Sequence, residues 1–339
     1  MNNESPLSNR LTDIDIAKGM CIVLVVIGHY IPANSPKWYL TLIDVIYSFH
    51  MPLFMYASGF IFRATKKPVK YNNFVLKKFR RLGIPYILVS WLIICIKLLT
   101  EKTMYVENPV SFSSFYEILY LPSAGYFLWY VYVLFLVFLI IPIFNTPIKI
   151  NFLLFLSLIW LIIPVQITDL FCINQFKSHL FYFVSGCFVS QYQSIIRKKT
   201  RNIPVFLLVL CFIVLYLFAH VYNNLSNTVI LKCISVCLAL TGICITLKIS
   251  RYIEMNTQKL NCIFLKLAMY SYTIYLFHTS FEGFAKSFFI KYPLTAYLDN
   301  SASFCIMVLI AVSIGVAGPI FLHQTFMRVK KRIEKITTI

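Results

Sequence analysis

Charge is scarce in this chain of 339 residues, and acidic charge is scarcest. Only 12 Asp and Glu stand against 31 Lys and Arg, and charged residues make up 13% of the whole. A soluble fold of this length needs more charge than that to cover its surface. HExxH, CxxC, GxGxxG and Walker-type phosphate loops are all missing from the sequence. Readings as a metal hydrolase, a nucleotide-binding oxidoreductase or an ATPase therefore have no support. The ten cysteines, Cys21, Cys95, Cys211 and Cys237 among them, fall mostly inside apolar stretches. That placement suits small buried hydrophobes and not a disulfide framework or a metal site.

What fills the chain instead is apolar. Hydrophobic residues make up 59% of it and aromatic residues 17%, and the mean hydropathy is +0.77. Runs of nearly 20 apolar residues recur down its length, the pattern of an all-α, polytopic integral membrane protein. The expected spans are roughly 14–33, 42–62, 82–100, 126–144, 151–166, 178–193, 203–222, 228–248, 264–281 and 302–325, about ten helices in one integral domain over 1–339. The first keeps flanking charge and shows no small-residue cleavage site, so it reads as a retained helix and not as a signal peptide.

A net charge of +19 invites a nucleic-acid reading, but the distribution of the charge argues against one. Basic residues gather in alternate loops: Arg63, Lys66, Lys67, Lys70, Lys77, Lys78, Arg80 and Arg81; then Arg197, Lys198, Lys199 and Arg201; then Lys248, Arg251, Lys259 and Lys266. The tail at 328–332, RVKKR, agrees with them. Loop 101–125 carries Glu101, Glu107 and Glu117, and loop 223–227 is uncharged. The positive-inside rule then places both termini in the cytoplasm.

The stretch 13–30, DIDIAKGMCIVLVVIGHY, carries Lys18 and His29 in an otherwise apolar run. Eleven helical residues return the two to within about 20° of one face, about 16 Å apart along the axis. Cationic and imidazole groups on one stripe are costly in lipid and belong against protein or in a wet cavity. A snorkelling lysine and a hydrogen-bonded interior histidine would look the same. A short outer loop then puts His50, on the second span before Pro52, at a depth similar to that of His29. Ser58 and Gly59 suit close helix packing. Arg80 and Arg81 stand directly before a membrane span; they read as topology anchors or as a phosphate-binding fork. Trp129 fits an aromatic belt or an acceptor site. His278 and Glu282, four residues apart, share a helix face and form a candidate imidazole–carboxylate couple. His179, His220 and His323 have no comparable company and are given no role.

Taken in order, these segments resemble the membrane-bound acyltransferase 3 family, particularly its fucose 4-O-acetylase-like and O-antigen O-acetyltransferase branch. IDIAKGMCIVLVVIGHY is similar to that family's first helix, with Lys18 and His29 at its basic and histidine positions. SFHMPLFMYASGFIF is similar to its second helix, KKFRRLGIPY to its basic approach to helix three, LWYV at 128–131 to its WFL segment, and SYTIYLFH at 271–278 to its last histidine segment. Lysine stands where arginine is commoner, and Tyr130 departs from the WFL pattern.

The resemblance implies O-acylation, usually acetylation, of a sugar hydroxyl on a surface polysaccharide or its lipid-linked precursor, in a bacterial cytoplasmic membrane. Acetyl-CoA would be the donor substrate, with no tightly bound cofactor. Arg80 and Arg81 would hold its phosphates and Asp15 would orient Lys18 or the basic cluster. His29 would act as general base or carry a covalent acyl group, and His50, His278 or Ser58 would supply an oxyanion donor. Beyond the lipid bilayer, partners would be a second copy or polysaccharide-assembly proteins, with no nucleic acid. The rival reading is a transporter or flippase for a glycan intermediate. No repeat relates the two halves, and the later spans hold no deep charge of the kind that proton coupling uses.

Overall fold

The computed structural model describes residues 11–32, 35–67, 69–102, 109–222, 228–291 and 301–337, and their regular structure is helical throughout. The chain opens with α1 (Thr12–His29), whose first turn carries Asp13 and Asp15, the sign favoured at a helix N-terminus. It stops short of Pro32, whose ring and missing N–H cannot continue it. Next come α2 (Lys37–Tyr47) and α3 (His50–Ala64). Pro52 lies in the first turn of α3, where its missing N–H costs no internal hydrogen bond.

Then α4 (Tyr71–Lys78) runs through a π-helical turn, Phe79–Gly83, into α5 (Ile84–Thr100). The cause is Pro85. It offers no N–H to the fourth carbonyl back and its ring displaces that carbonyl, so the turn widens and Ile84 N–H reaches Phe79 O instead. The short α6 (Ser114–Glu117) follows, and a 3-10 turn, Tyr126–Leu128, leads into α7 (Trp129–Ile140). Beyond it lie α8 (Pro147–Ile162), α9 (Ile173–Gln191), α10 (Gln193–Thr200), α11 (Val205–Tyr222), α12 (Thr228–Asn256), α13 (Gln258–Lys291) and α14 (Ser301–Thr337).

Each of the ten expected segments falls on a helix, but fewer meet the length and apolarity of a crossing. Among the described residues six runs do so: Lys37–Ala64, Tyr71–Thr100, Tyr126–Ile143, Thr228–Asn256, Gln258–Phe289 and Ser301–Glu334. A seventh is added if Gln193–Thr200 and Val205–Val221, bent by 90°, count as one. The other three differ for physical reasons. Charged Asp13, Asp15 and Lys18 interrupt α1, α8 has only 16 residues, and α9 begins with the polar run INQFKSH. The uncharged loop 223–227 and Glu107 lie outside the described residues.

The chain divides into two compact units. The first comprises Met1–Ala17 and Tyr47–Gln258. Its centre is the crossing of α3 and α9, which pack backbone to backbone. A Cβ on Gly59 would lie 1.8 Å from Phe183 O, and one on Gly186 would lie 2.0 Å from Tyr56 O. Only glycine permits that approach, and Cys187 Sγ uses it to reach Gly59 O at 3.2 Å. Phe62, Phe74, Phe138 and Phe183 pack beside the crossing at 5.6–6.0 Å between centroids. Two lysines close helix ends. Lys177 donates to Ile163 O and Val165 O beyond α8, and Lys248 to Thr200 O, Arg201 O and Ile203 O beyond α10.

The second unit comprises Lys18–Ile46 and Lys259–Ile339. Its buried core holds Tyr30, Tyr39, Ile43, Ala285, Phe289, Phe304, Met307 and Ala311. The Tyr39 ring meets Phe304 at 5.1 Å, near edge-on. Its hydroxyl donates to Tyr30 O at 2.8 Å and approaches Ile27 O at 3.2 Å. That buried hydroxyl joins the Tyr30 N–H on Ile27 O and satisfies the carbonyl of Tyr30, just past the end of α1.

Candidate active site

His29 is the last residue of α1, on the turn that Tyr39 holds. Within the second unit its ring lies 5.1 Å from that of His278 on α13, tilted by 57°. His278 is fully buried, and its Nδ1 sits 2.8 Å from Tyr275 O and 3.1 Å from Ile274 O. Carbonyl oxygens only accept, so Nδ1 carries the proton, and in the neutral ring Nε2 holds the lone pair. The helix's own backbone thus fixes the tautomer of His278.

This arrangement changes the expected couple of His278 and Glu282. Both lie on one face of α13 and both are buried, with Glu282 only 4% exposed. The imidazole N–H, however, goes to carbonyls three and four residues back, which are nearer and already aligned. Glu282 Oε1 has no hydrogen-bond partner among the described residues; it faces α14, where a Cβ on Gly315 would lie 3.0 Å from it. Glu282 therefore shares a buried face of α13 with His278 without accepting its imidazole N–H. Lys18 stands eleven residues before His29 on the unbroken α1 and is half-buried.

The remaining candidates belong to the first unit. His50 opens α3, 2% exposed, its ring 5.1 Å from that of Tyr47. Ser58 Oγ and Tyr130 OH share a hydrogen bond of 2.9 Å, so the tyrosine of the LWYV segment takes up the α3 hydroxyl directly. Trp129 lies against His179 at 4.5 Å and meets Tyr130 edge-on at 6.2 Å. Arg80 and Arg81 stand exposed on the π-helical turn, which turns two adjacent guanidinium groups outward at the head of α5.

Asp15 is half-buried in the first turn of α1. Its neighbour Asp13, which the sequence reading passed over, is the more firmly engaged of the two. It is 6% exposed and pairs with Arg197 Nη2 at 2.5 Å. Burial pushes its carboxyl above the ordinary value, and Arg197 opposes that shift. A clue was available: two acids in an apolar segment of a chain so poor in acids, with a basic run at 197–201 to answer them.

The model of the family described as "Acyltransferase domain" (Acyl_transf_3) matches residues 11–320. No curated protein and no solved structure matches the chain. The family match takes in most of both units and every residue of the candidate site. The chain belongs to the acyltransferase 3 family of membrane acyltransferases.

Proposed function

We propose that the protein is an O-acetyltransferase of the fucose 4-O-acetylase-like branch. It takes the acetyl group from cytoplasmic acetyl-CoA and esterifies a sugar hydroxyl of a surface polysaccharide or its lipid-linked precursor. The observation that carries this reading is the His29–His278 pair. The backbone holds the His278 imidazole through Nδ1, and the His29 ring packs against it at 5.1 Å between centroids. A nitrogen of His29 is then the base. One imidazole positions the other by packing, where the third member of a triad does so by a hydrogen bond.

In this mechanism the acceptor hydroxyl attacks the thioester carbonyl while His29 takes its proton. The tetrahedral intermediate collapses, the C–S bond breaks, and the imidazolium returns the proton to the leaving thiolate. The products are the sugar acetyl ester and free coenzyme A. Because neutral His278 is an acceptor at Nε2, it does not donate to the oxyanion; His50 and Ser58 remain the candidates for that role. Glu282 is kept as a supporting residue, buried on the same face of α13 as His278. Arg80 and Arg81 hold the phosphates of the donor, since exposed guanidinium forks pair bidentately with phosphate oxygens. Lys18 adds positive charge on the stripe that leads to His29, with Asp15 orienting it. Ser58 and Trp129 contact the acceptor.

The same reading has all ten segments cross a bacterial cytoplasmic membrane with both termini inside. The alternation of basic and uncharged loops supports it. The discriminating experiment supplies radiolabelled acetyl-CoA to membranes containing the protein. Label is expected in the extracted glycan or its lipid-linked precursor. Movement of unmodified glycan across the membrane without acetyl-CoA, and no label in any glycan fraction, would favour the carrier instead.

A further inference from the structure

Four side chains at the start of α7 and α9 are tied into one cluster that the histidine chemistry does not use. Gln175 joins two of them: its side-chain Nε2 donates to Tyr126 OH, and its backbone carbonyl accepts from His179 Nδ1 at 2.9 Å. Both partners are thereby oriented. The Tyr126 oxygen already accepts, so its O–H is left to donate outward from a side chain that is 62% exposed. His179 has its proton on Nδ1, so Nε2 presents a lone pair. Half-buried Trp129 lies against that imidazole at 4.5 Å between centroids, tilted by 47°. An outward donor, an acceptor and an indole thus stand together on one side of the first unit. Gln175 Oε1 is buried without a hydrogen-bond partner, an acceptor still short of a donor.

The segment leading into α9 adds a second, independent observation. Phe171 and Cys172 are consecutive non-glycine residues with φ of 56° and 54°, a left-handed conformation that side chains rarely adopt. They are held there by Phe171 N–H to Tyr120 O at 2.7 Å, Cys172 N–H to Asp169 O at 3.0 Å, and Asn174 Nδ2 to Asp169 Oδ1 at 2.9 Å. Backbone strain of this kind persists only where the surroundings over-determine it, and it gathers at binding sites. Here it sets the first turns of α9, from which Gln175 and His179 project.

We propose that Tyr126, Trp129, Gln175 and His179 form a saccharide-binding subsite that takes a pyranose ring. The apolar C–H face of the sugar lies on the indole. Its hydroxyls donate to His179 Nε2 and accept from Tyr126 O–H, the pairing of rigid aromatic surface with oriented hydrogen bonds that small polar ligands require. The inference rests on the reading above only in taking the saccharide to be the acyl acceptor; binding itself is testable without catalysis.

The test is saturation-transfer NMR on the full chain in a phosphocholine detergent, whose head group carries no sugar. The probes are methyl α-D-glucopyranoside, methyl α-D-galactopyranoside and methyl α-L-fucopyranoside. The wild type should transfer saturation to at least one of them. Trp129→Ala and His179→Phe should weaken binding by about tenfold or more, the scale of one lost hydrogen bond or stacking contact. His179→Phe keeps an aromatic ring against Trp129 and so guards against simple misfolding. No transfer to any of the three glycosides, or transfer that survives both substitutions, would overturn the subsite. Glycoside binding without acetyl transfer would instead overturn the acyltransferase reading and leave the subsite standing.

Discussion

The two units use their buried polar groups differently. In the first, many polar groups serve structure: Lys177 and Lys248 close helix ends, Ser58 answers Tyr130, and Asp13 is met by Arg197, while Gln175 Oε1 is left without a hydrogen-bond partner among the described residues. Its helices approach through Gly59 and Gly186 until backbone touches backbone. In the second, buried polar groups are assembled beyond what structure needs. His29, His278 and Glu282 gather between long helices, and Glu282 Oε1 stays without a hydrogen-bond partner among the described residues. Apolar burial at Tyr39, Phe304 and Met307 supports that cost nearby. A group whose demand is met is doing structural work, whereas one whose demand is unmet is a candidate for chemistry.

The comparison breaks most visibly at the glycine crossing. Gly186→Leu must displace Tyr56 O, which a Cβ alone would approach to 2.0 Å. Because that contact is backbone and cannot rotate away, a loss of about 3 kcal/mol or more is expected. The measurement is protein yield and thermal unfolding in detergent; an unchanged melting temperature would mean α3 and α9 do not depend on contact at glycine.

A smaller effect is expected at Tyr39→Phe, which removes a buried hydroxyl from the carbonyls of Ile27 and Tyr30. The cost should be about 1–3 kcal/mol, with acetyl transfer falling further than protein abundance because the turn carrying His29 loosens. Equal falls in both would reduce Tyr39 to a packing residue. For Asp13→Ala about 1–2 kcal/mol is expected, since the Arg197 side chain is 32% exposed and water compensates much of the loss. The double variant with Arg197→Ala should recover part of that stability. Ser58→Ala should cost least, about 1 kcal/mol in unfolding. The acceptor contact proposed for Ser58 predicts a much larger loss of acetyl transfer than of stability, whereas equal falls in both would reduce Ser58 to a partner of Tyr130.

Much of this arrangement was legible in the sequence, and what was not has identifiable causes. The apolar runs gave the helices, because burying or embedding such runs leaves the backbone few choices. Pro32 and Pro85, which end α1 and widen the turn before α5, were visible in the sequence but not used, so the first expected span ran on to 33. Lys18 and His29 share a helix, so their spacing was readable. His278, by contrast, meets His29 only through the packing of α1 against α13, which no local pattern encodes. Its tautomer followed from backbone carbonyls, so the i,i+4 spacing to Glu282 misled about which group it bonds. His179 had no companion in its own segment; its partner Trp129 comes from another helix. Asp13 was overshadowed by Asp15, which sits inside the recognised motif while Asp13 stands at its edge.

The most direct test of the central claim compares wild-type and His29→Ala protein at equal abundance in the same membranes, with labelled acetyl-CoA as donor. If His29 is the base that His278 orients, transfer to glycan should fall by about a hundredfold or more, the usual worth of a positioned acid–base group. The protein should still fold, since His29 lies at a helix end that Tyr39 holds independently. Transfer that continues at the wild-type rate would contradict the account and move the chemistry away from the histidine pair.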